Sequence, residues 1–343
     1  MDTRGTTKND LQCYCAKLAQ EYSFARRLNS QARQAAANRA WAAIERFYEN
    51  CKNKKPGKKG YPTFQHDNRS VEYKTTGWKL DEDGKHMRFT DGLRIGRLRL
   101  VGNKKQQVEA FPVKQIKRVR IVRRADGYFV QFCVASKLQV VHQPTDKQIG
   151  IDMGLLAFYT DSQGNAVDNP RFLRKAEKKL KRLHRRVSKK QKKSKNRNKA
   201  RKRLAKAYLK VSRQREDFAR KTANALISSS DLIAYEDLQI ANMVKNHSLA
   251  KSISDAAWGR FLVWVNYYGG LHEVPVIAVA PHFTTQDCSG CGKRVYKSLS
   301  VRTHTCPHCG LVTDRDQNAA LNILAKALDG TGGHSGTDVP RGT

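Results

Sequence analysis

The chain has 343 residues, 39% of them hydrophobic, and its 66 Lys and Arg against 30 Asp and Glu leave a formal net charge of +36. The apolar share suffices for real cores and excludes a wholly disordered polybasic tail, and the length allows one large domain or two to three smaller ones. Such a charge recruits polyphosphate and makes binding fall with added salt, so nucleic acid is the expected partner, although a structural RNA-binding protein of the ribosomal sort meets the same description.

No signal-like apolar core opens the sequence. The most apolar long window, residues 261–280, is broken by Asn266, Gly269, Gly270, His272, Glu273 and Pro275. It divides into a buried helix and a short strand better than it forms a membrane span, and a reducing cytoplasm, close to the nucleoid, is expected.

In chain order, residues 11–50 are alanine-rich and basic, and Leu18, Tyr22, Ala25, Leu28 and Ala32 recur at helical spacing as candidate core. Residues 51–64 set Lys52, Lys54, Lys55, Lys58 and Lys59 among Gly and Pro, an exposed loop that either meets phosphates or is merely solvated. From 71 to 135 the helical period gives way to β-rich runs at 98–101, 116–122 and 128–134, with Asp126-Gly127 as a hairpin turn. A small antiparallel or barrel-like domain is expected there.

At 148–155 the run Gln-Ile-Gly-Ile-Asp-Met-Gly-Leu reads as an apolar strand carrying Asp152, followed by a second strand, which places Asp152 near the open edge of a sheet. Burying an unpaired carboxylate is costly and a divalent cation removes the cost; a plain turn or surface aspartate is the alternative. Residues 171–221 then hold 25 Lys or Arg against three acids, a local balance of +22. Leu180, Leu183 and Val187, then Leu204, Tyr208, Val211 and Phe218, suggest two helices interrupted at 188–198, an insertion suited to gripping nucleic-acid phosphates. Sheet-like sequence resumes at 231–238, where Glu236 follows a short apolar strand and Asp237 is its near rival. A helix over 256–272, with Trp258, Phe261, Leu262 and Val265 facing inward, and a strand over 274–280 extend an α/β scaffold.

Cys288/Cys291 and Cys306/Cys309 are two C-x2-C knuckles with fourteen residues between them. Four thiolates offer the soft tetrahedral shell of a structural zinc; redox pairs or disulfides are the competing reading, and neither His304 nor His308 is needed as a ligand. Cys13, Cys15, Cys51 and Cys133 lack the spacing and read as ordinary thiols. Behind the second knuckle a helix begins with Asp316 in its first turn, Asp314 is placed to cap it, and Ala320, Ile323, Leu324 and Leu328 can pack. Residues 329–343, with five glycines, read as a flexible tail. Asp152, Glu236 and Asp316 lie 84 and 80 residues apart, each beside an element of one α/β core. Three converging carboxylates can hold two Mg2+ about 4 Å apart for phosphodiester hydrolysis, the RNase H-like arrangement.

These motifs, Gly150-Ile151-Asp152-Met153-Gly154-Leu155, Tyr235-Glu236-Asp237-Leu238, the four-cysteine ribbon and the run from Asp314-Arg315-Asp316 to Ile323, resemble the TnpB (OrfB) family of transposon-encoded RNA-guided DNA endonucleases, related to miniature type V CRISPR nucleases. The resemblance spans most of the chain and is most specific over 148–328. It implies an α/β RNase H-like (RuvC) core over 147–282 and 312–328 with a basic helical insertion at 171–225. It further implies a zinc-ribbon target-nucleic-acid-binding module at 283–311, a helical recognition region at 1–68 and a β-rich wedge, an OB-like barrel, at 69–146. Asp152, Glu236 and Asp316 would be the catalytic acids and Mg2+ ligands, and Cys288, Cys291, Cys306 and Cys309 the structural zinc ligands. The partners implied are a guide RNA from the transposon end and double-stranded, then unwound, DNA. Members usually carry a basic strand and helix ahead of the region of Leu11, so an N-terminally truncated wedge is expected. Guided DNA binding or repression without cleavage, a transposition accessory role, and end-joining transposition are the alternatives.

Overall fold

The computed structural model describes residues 5–54, 59–64, 67–91, 95–102, 112–135, 140–298 and 300–330. Lys55, Lys58 and the tail from 331 onward lie outside them. The chain divides into two compact units, Met1–Lys137 and Leu138–Thr343.

The first unit opens with three helices, α1 (Lys8–Glu21), α2 (Ser23–Arg27) and α3 (Ser30–Lys52). The single helical period expected across this stretch is broken at Tyr22, whose extended backbone (φ −116°) ends α1 and starts α2. Of the stripe read from sequence, Ala32 is buried, Leu18, Ala25 and Leu28 are half-buried, and Tyr22 is exposed; Ala19, Ala35 and Ala37 take the buried places. The small alanines let α1 and α3 pack closely. Lys52, Lys54 and Lys59 are exposed.

The β-rich part forms two separate three-stranded antiparallel sheets. One is ordered β1 (Ser70–Tyr73), β5 (Ile116–Arg123), β6 (Tyr128–Val134); the other is β2 (Trp78–Leu80), β3 (His86–Phe89), β4 (Arg97–Arg99). They share a core of Tyr73, Trp78, Met87, Ile116 and Val119, with Ala32 of α3. The expected OB-like barrel is therefore corrected: among the described residues no sheet closes on itself. Closure needs a continuous ladder whose last strand bonds the first, and here β1 pairs β5 alone while β4 pairs β3 alone. The β5–β6 hairpin turns where expected, with Arg124 N donating to Gly127 O at 2.8 Å. Glu72, buried on β1, is held by Arg118 and Arg120 of the neighbouring strand.

The second unit is built on a five-stranded sheet of β7 (Gln148–Asp152), β8 (Ala157–Asp161), β9 (Ala166–Asp168), β10 (Leu232–Glu236) and β11 (Val276–Val279), in the order β11-β10-β7-β8-β9. Strands β7 to β9 run antiparallel in sequence, and β10 and β11 join parallel to β7. This is the RNase H-like order. β7 is thus a central strand, and Asp152 stands at its C-terminal end.

Between β9 and β10 the basic stretch forms an antiparallel hairpin of α4 (Phe172–Ser188) and α5 (Lys195–Ser228). The two helices pack on each other and bury Leu180 and Leu183 of α4 and Val211 of α5, while their Lys and Arg are mostly exposed. The break falls at 189–194, where Ser194 Oγ caps α5 by accepting from Arg197 N at 3.1 Å. After α6 (Ile240–Met243) and α7 (Ala250–Ala256), α8 (Trp258–His272) buries Trp258, Phe261 and Val265 on one face of the sheet. That face, with α5, contains Ile149, Ile151, Phe158 and Ile233. The opposite face, with Leu232, Ala234 and Val279, receives Ile323 and Ala327 of α9 (Arg315–Asp329). Asp329 closes that helix, Leu324 packs with it, and Leu328 is 41% exposed.

Candidate active site and metal centre

Strand periodicity decides which way the acids face. In β7, Ile149 and Ile151 enter the core shared with α5 and α8, so Gly150 and Asp152 belong to the face covered by α9. In β10, Ile233 enters the same core and Leu232, Ala234 and Glu236 share the α9 face. The strands are parallel in the register Leu232↔Gln148 and Ala234↔Gly150. Continued two residues, that register sets Glu236 beside Asp152. Glu236 is 7% exposed, whereas Asp237 is exposed.

The third acid is delivered by α9. Asp314 caps the helix, its side chain accepting from Asp316 N at 2.8 Å and Gln317 N at 3.1 Å. The helix can cross β7 closely only because position 150 is glycine: a Cβ there would lie 2.1 Å from the Ala320 carbonyl oxygen. Asp316 is held by Arg315, with Nη2 at 2.9 Å from Oδ1, and by Arg302, with Nη1 at 3.4 Å from Oδ2.

Asp152 senses both of the other carboxylates. Burial, then the charges of Glu236 and Asp316, push the Asp152 carboxyl up to about 7, with Arg315 opposing. Burial also raises Glu236, opposed by the hydroxyl of Thr284 and the charge of Lys326. An electronegative, partly dry pocket of hard oxygen ligands fits a divalent cation such as Mg2+. Among the described residues, however, three or more potential ligand atoms come within 4.8 Å of one another at only two places, and this trio is not one of them. One is Asp81, Asp83 and His86 in the β2–β3 hairpin of the first unit, where Arg97 Nε reaches Asp81 at 2.6 Å and His86 reaches Asp83 at 2.5 Å. Those oxygens already have cationic partners, and the group is no part of the five-stranded sheet.

The other is the four-cysteine group. Cys288 and Cys309 sulfurs lie 3.6 Å apart, as do those of Cys291 and Cys306, and all four fall within 4.8 Å. A disulfide would bring sulfurs to about 2 Å, whereas a tetrahedral zinc with Zn–S near 2.3 Å needs close to this wider spacing. The two knuckles repeat one another. Cys288 N donates to Lys293 O and Cys306 N to Leu311 O, and each second cysteine is followed by a left-handed glycine, Gly292 (φ +71°) or Gly310 (φ +76°). At Cys306 burial opposes the thiolate, but the backbone N–H groups of Cys309 and His308 prevail and lower the thiol to about 6. His304, on β12 (Thr303–Thr305), is buried against Lys297, and His308 is exposed, so four sulfurs form the group by themselves. β12 pairs with β13 (Val312–Asp314), which runs straight into α9. Cys13, Cys15, Cys51 and Cys133 are free.

Sequence reasoning took Thr284 only as part of the lead into the zinc ribbon and Asn318 and Asn322 only as part of the family motif behind Asp316, yet all three tie this ribbon to the acid-bearing elements. Their one visible signal was two asparagines four residues apart inside a helix, where asparagine is unfavourable unless its amide has work elsewhere. Sequence reasoning assigned no role to Asp255. Buried on α7, it accepts from Leu173 N and Arg174 N at 2.8 and 2.9 Å, capping α4 from outside, and binds Arg215 of α5 at 2.9 Å.

The sheet order, the acids on its α9 face and the four-cysteine ribbon define an RNase H-like protein of the RuvC type. Residues 131–247 match the family described as "Probable transposase" (OrfB_IS605), and residues 258–323 match "Cas12f1-like, TNB domain". A "Putative RNA-guided DNA endonuclease" of Streptomyces pristinaespiralis is 37% identical over 186 residues, 54% of this chain and 46% of that protein. InsQ of Escherichia coli, similarly described, is 25% identical over 82% of this chain and 71% of its own length. The first relative is therefore matched over less than half its length. The protein in a Cas12f1–sgRNA–target DNA complex shares the fold, with a TM-score of 0.56 at 13% identity, over 93% of this chain and 76% of that one. Over residues 131–323 the chain is thus similar to the OrfB_IS605 transposase family and to the TNB domain of Cas12f1-like proteins.

Proposed function

We propose that this chain is an RNA-guided, divalent-metal-dependent DNA endonuclease associated with a transposable element, and that Asp152, Glu236 and Asp316 are its catalytic carboxylates. The observation that carries this is the in-register placement of Glu236 beside Asp152 under the helix that carries Asp316. The three would hold Mg2+, which when bound supplies water activation and stabilisation of the leaving oxygen of a phosphodiester. Arg302 and Arg315 orient Asp316, and burial of Glu236 keeps competing water from its carboxylate.

Cys288, Cys291, Cys306 and Cys309 would hold a structural zinc, with 283–311 acting as the target-binding module. The cationic hairpin at 171–225 would lie along the guide RNA or heteroduplex backbone, base pairing with the guide supplying sequence specificity. Among the described residues no helix is long and apolar enough to cross a membrane, which accords with a site of action at DNA in the cytoplasm.

The test is Mg2+-dependent cleavage of guide-matched against mismatched duplex DNA by protein co-expressed with its transposon-end RNA. Matched cleavage that Asp152→Ala abolishes is expected, since Asp152 would help hold the metal that supplies the chemistry. Guided binding with no cleavage of any motif-bearing target would instead identify a binding-only protein.

A further inference from the structure

The segment that joins β11 to the first cysteine knuckle is bonded to two of the three elements that carry the acids, β10 and α9. Thr284, 2% exposed, donates its hydroxyl to Glu236 Oε1. Its backbone is held in turn by α9: Asn322 Nδ2 donates to the carbonyls of Thr284 at 2.8 Å and Asp287 at 2.7 Å. One turn earlier Asn318, fully buried, donates to Asp287 O at 2.8 Å and accepts from Ser289 N at 2.9 Å. The same helix carries Asp316 in its first turn. One short piece of chain thus touches one acid through a side chain and is fastened along its backbone to the helix bearing another.

A glutamate at a strand end has three side-chain torsions, and the partners of Glu236 come from outside β10: the Thr284 hydroxyl by a hydrogen bond and the Lys326 ammonium by charge. A hydroxyl bonded to one carboxylate oxygen makes that selection and leaves the second oxygen for a ligand. We propose that Thr284 is a positioning residue for the carboxylate site: its hydroxyl fixes the Glu236 carboxylate toward Asp152, and Asn318 and Asn322 of α9 hold Thr284 in register with Asp316. The inference rests on reading Glu236 as a metal ligand. Partners of this kind, which orient a ligand without touching the ion, typically change metal affinity or activity about 10- to 100-fold when removed.

The experiment uses the full chain with its guide RNA and compares wild type, Thr284→Val, which keeps the shape and deletes the hydroxyl, and Thr284→Ser, which restores the hydroxyl. The first readout is Mn2+ binding by electron paramagnetic resonance, counting only the sites lost in Asp152→Ala. Guide-RNA binding without divalent ions reports integrity of the fold. Thr284→Val should weaken Mn2+ binding about 10-fold or more with guide binding intact, and Thr284→Ser should return to within about 3-fold of wild type. Should Thr284→Val fail to bind guide, Asn322→Ala, which leaves the hydroxyl but frees its backbone, is expected to weaken Mn2+ binding in the same direction.

Wild-type Mn2+ affinity in Thr284→Val, or a serine variant as impaired as the valine one, overturns the proposal. Hydroxyl-dependent Mn2+ binding in a protein that cleaves no DNA would uphold it while removing the endonuclease reading. A wild type without any Asp152-dependent Mn2+ site would remove both.

Discussion

At the scale of single residues, the three acids are alike in chemistry and different in surroundings. Asp316 is matched by Arg315 and Arg302, Glu236 meets the hydroxyl of Thr284 and the charge of Lys326, and Asp152 faces the other two charges with Arg315 opposing them. Asp152 therefore holds its proton more tightly in the folded chain, where its carboxyl rises to about 7, than at the ordinary 3.8. By linkage, stability falls as pH rises from 3.8 toward about 7, and the penalty is complete above that. In Mg2+-free buffer Asp152→Asn should accordingly melt with wild type near pH 4 and several degrees above it near pH 8, as calorimetry would record. Adding Mg2+ should shrink the difference by stabilising the wild type. No gain at pH 8 would show that Asp152 bears no such strain.

At the scale of elements, α9 joins sheet, acids and ribbon, and its approach to β7 depends on a missing side chain. Gly150→Ala would drive a Cβ into the Ala320 carbonyl, with Leu324 N also only 2.9 Å away. Backbone cannot turn aside as a flexible side chain can, so the helix must shift. Urea unfolding should show a loss of at least about 1–3 kcal/mol, the usual range for overpacking. Cleavage should fall by more than the stability loss explains, because Asp316 moves with the helix; undiminished cleavage would mean that the position of α9 matters less than its contacts suggest. Asp255 plays the corresponding part for the basic hairpin, binding the start of α4 and Arg215 of α5 at once.

At the scale of the molecule, the +36 charge is concentrated on the α4–α5 hairpin. Near its tip Arg186, Lys190, Lys199 and Arg203 line a cleft of about 410 Å³ with Asn196 and Leu183. Each phosphate neutralised there releases condensed counterions, so affinity for guide RNA should fall steeply with salt. Changing the four cations to Gln should flatten the slope of log K against log salt by up to about 3.6, at roughly 0.7–0.9 per contact. An unchanged slope would place the phosphates elsewhere.

The sequence by itself was sufficient where the information is local. The C-x2-C spacing makes a knuckle whatever surrounds it, Asp314 caps α9 from two residues away, and the apolar runs at 148–152 and 232–236 can only be strands of a covered sheet. A single helical stripe through Tyr22 and a closed barrel at 69–146 both failed for one reason: helix breaks and ladder closure depend on backbone partners that the local pattern does not name. The sequence singled out Glu236 with Asp237 as near rival, but its place beside Asp152 depends on the parallel register of β10 on β7, and the reach of Thr284 to Glu236 spans 48 residues. Such pairings are tertiary by nature, because a hydrogen bond between distant residues leaves no periodicity in either segment, and only the packing of α9 across the sheet brings them together.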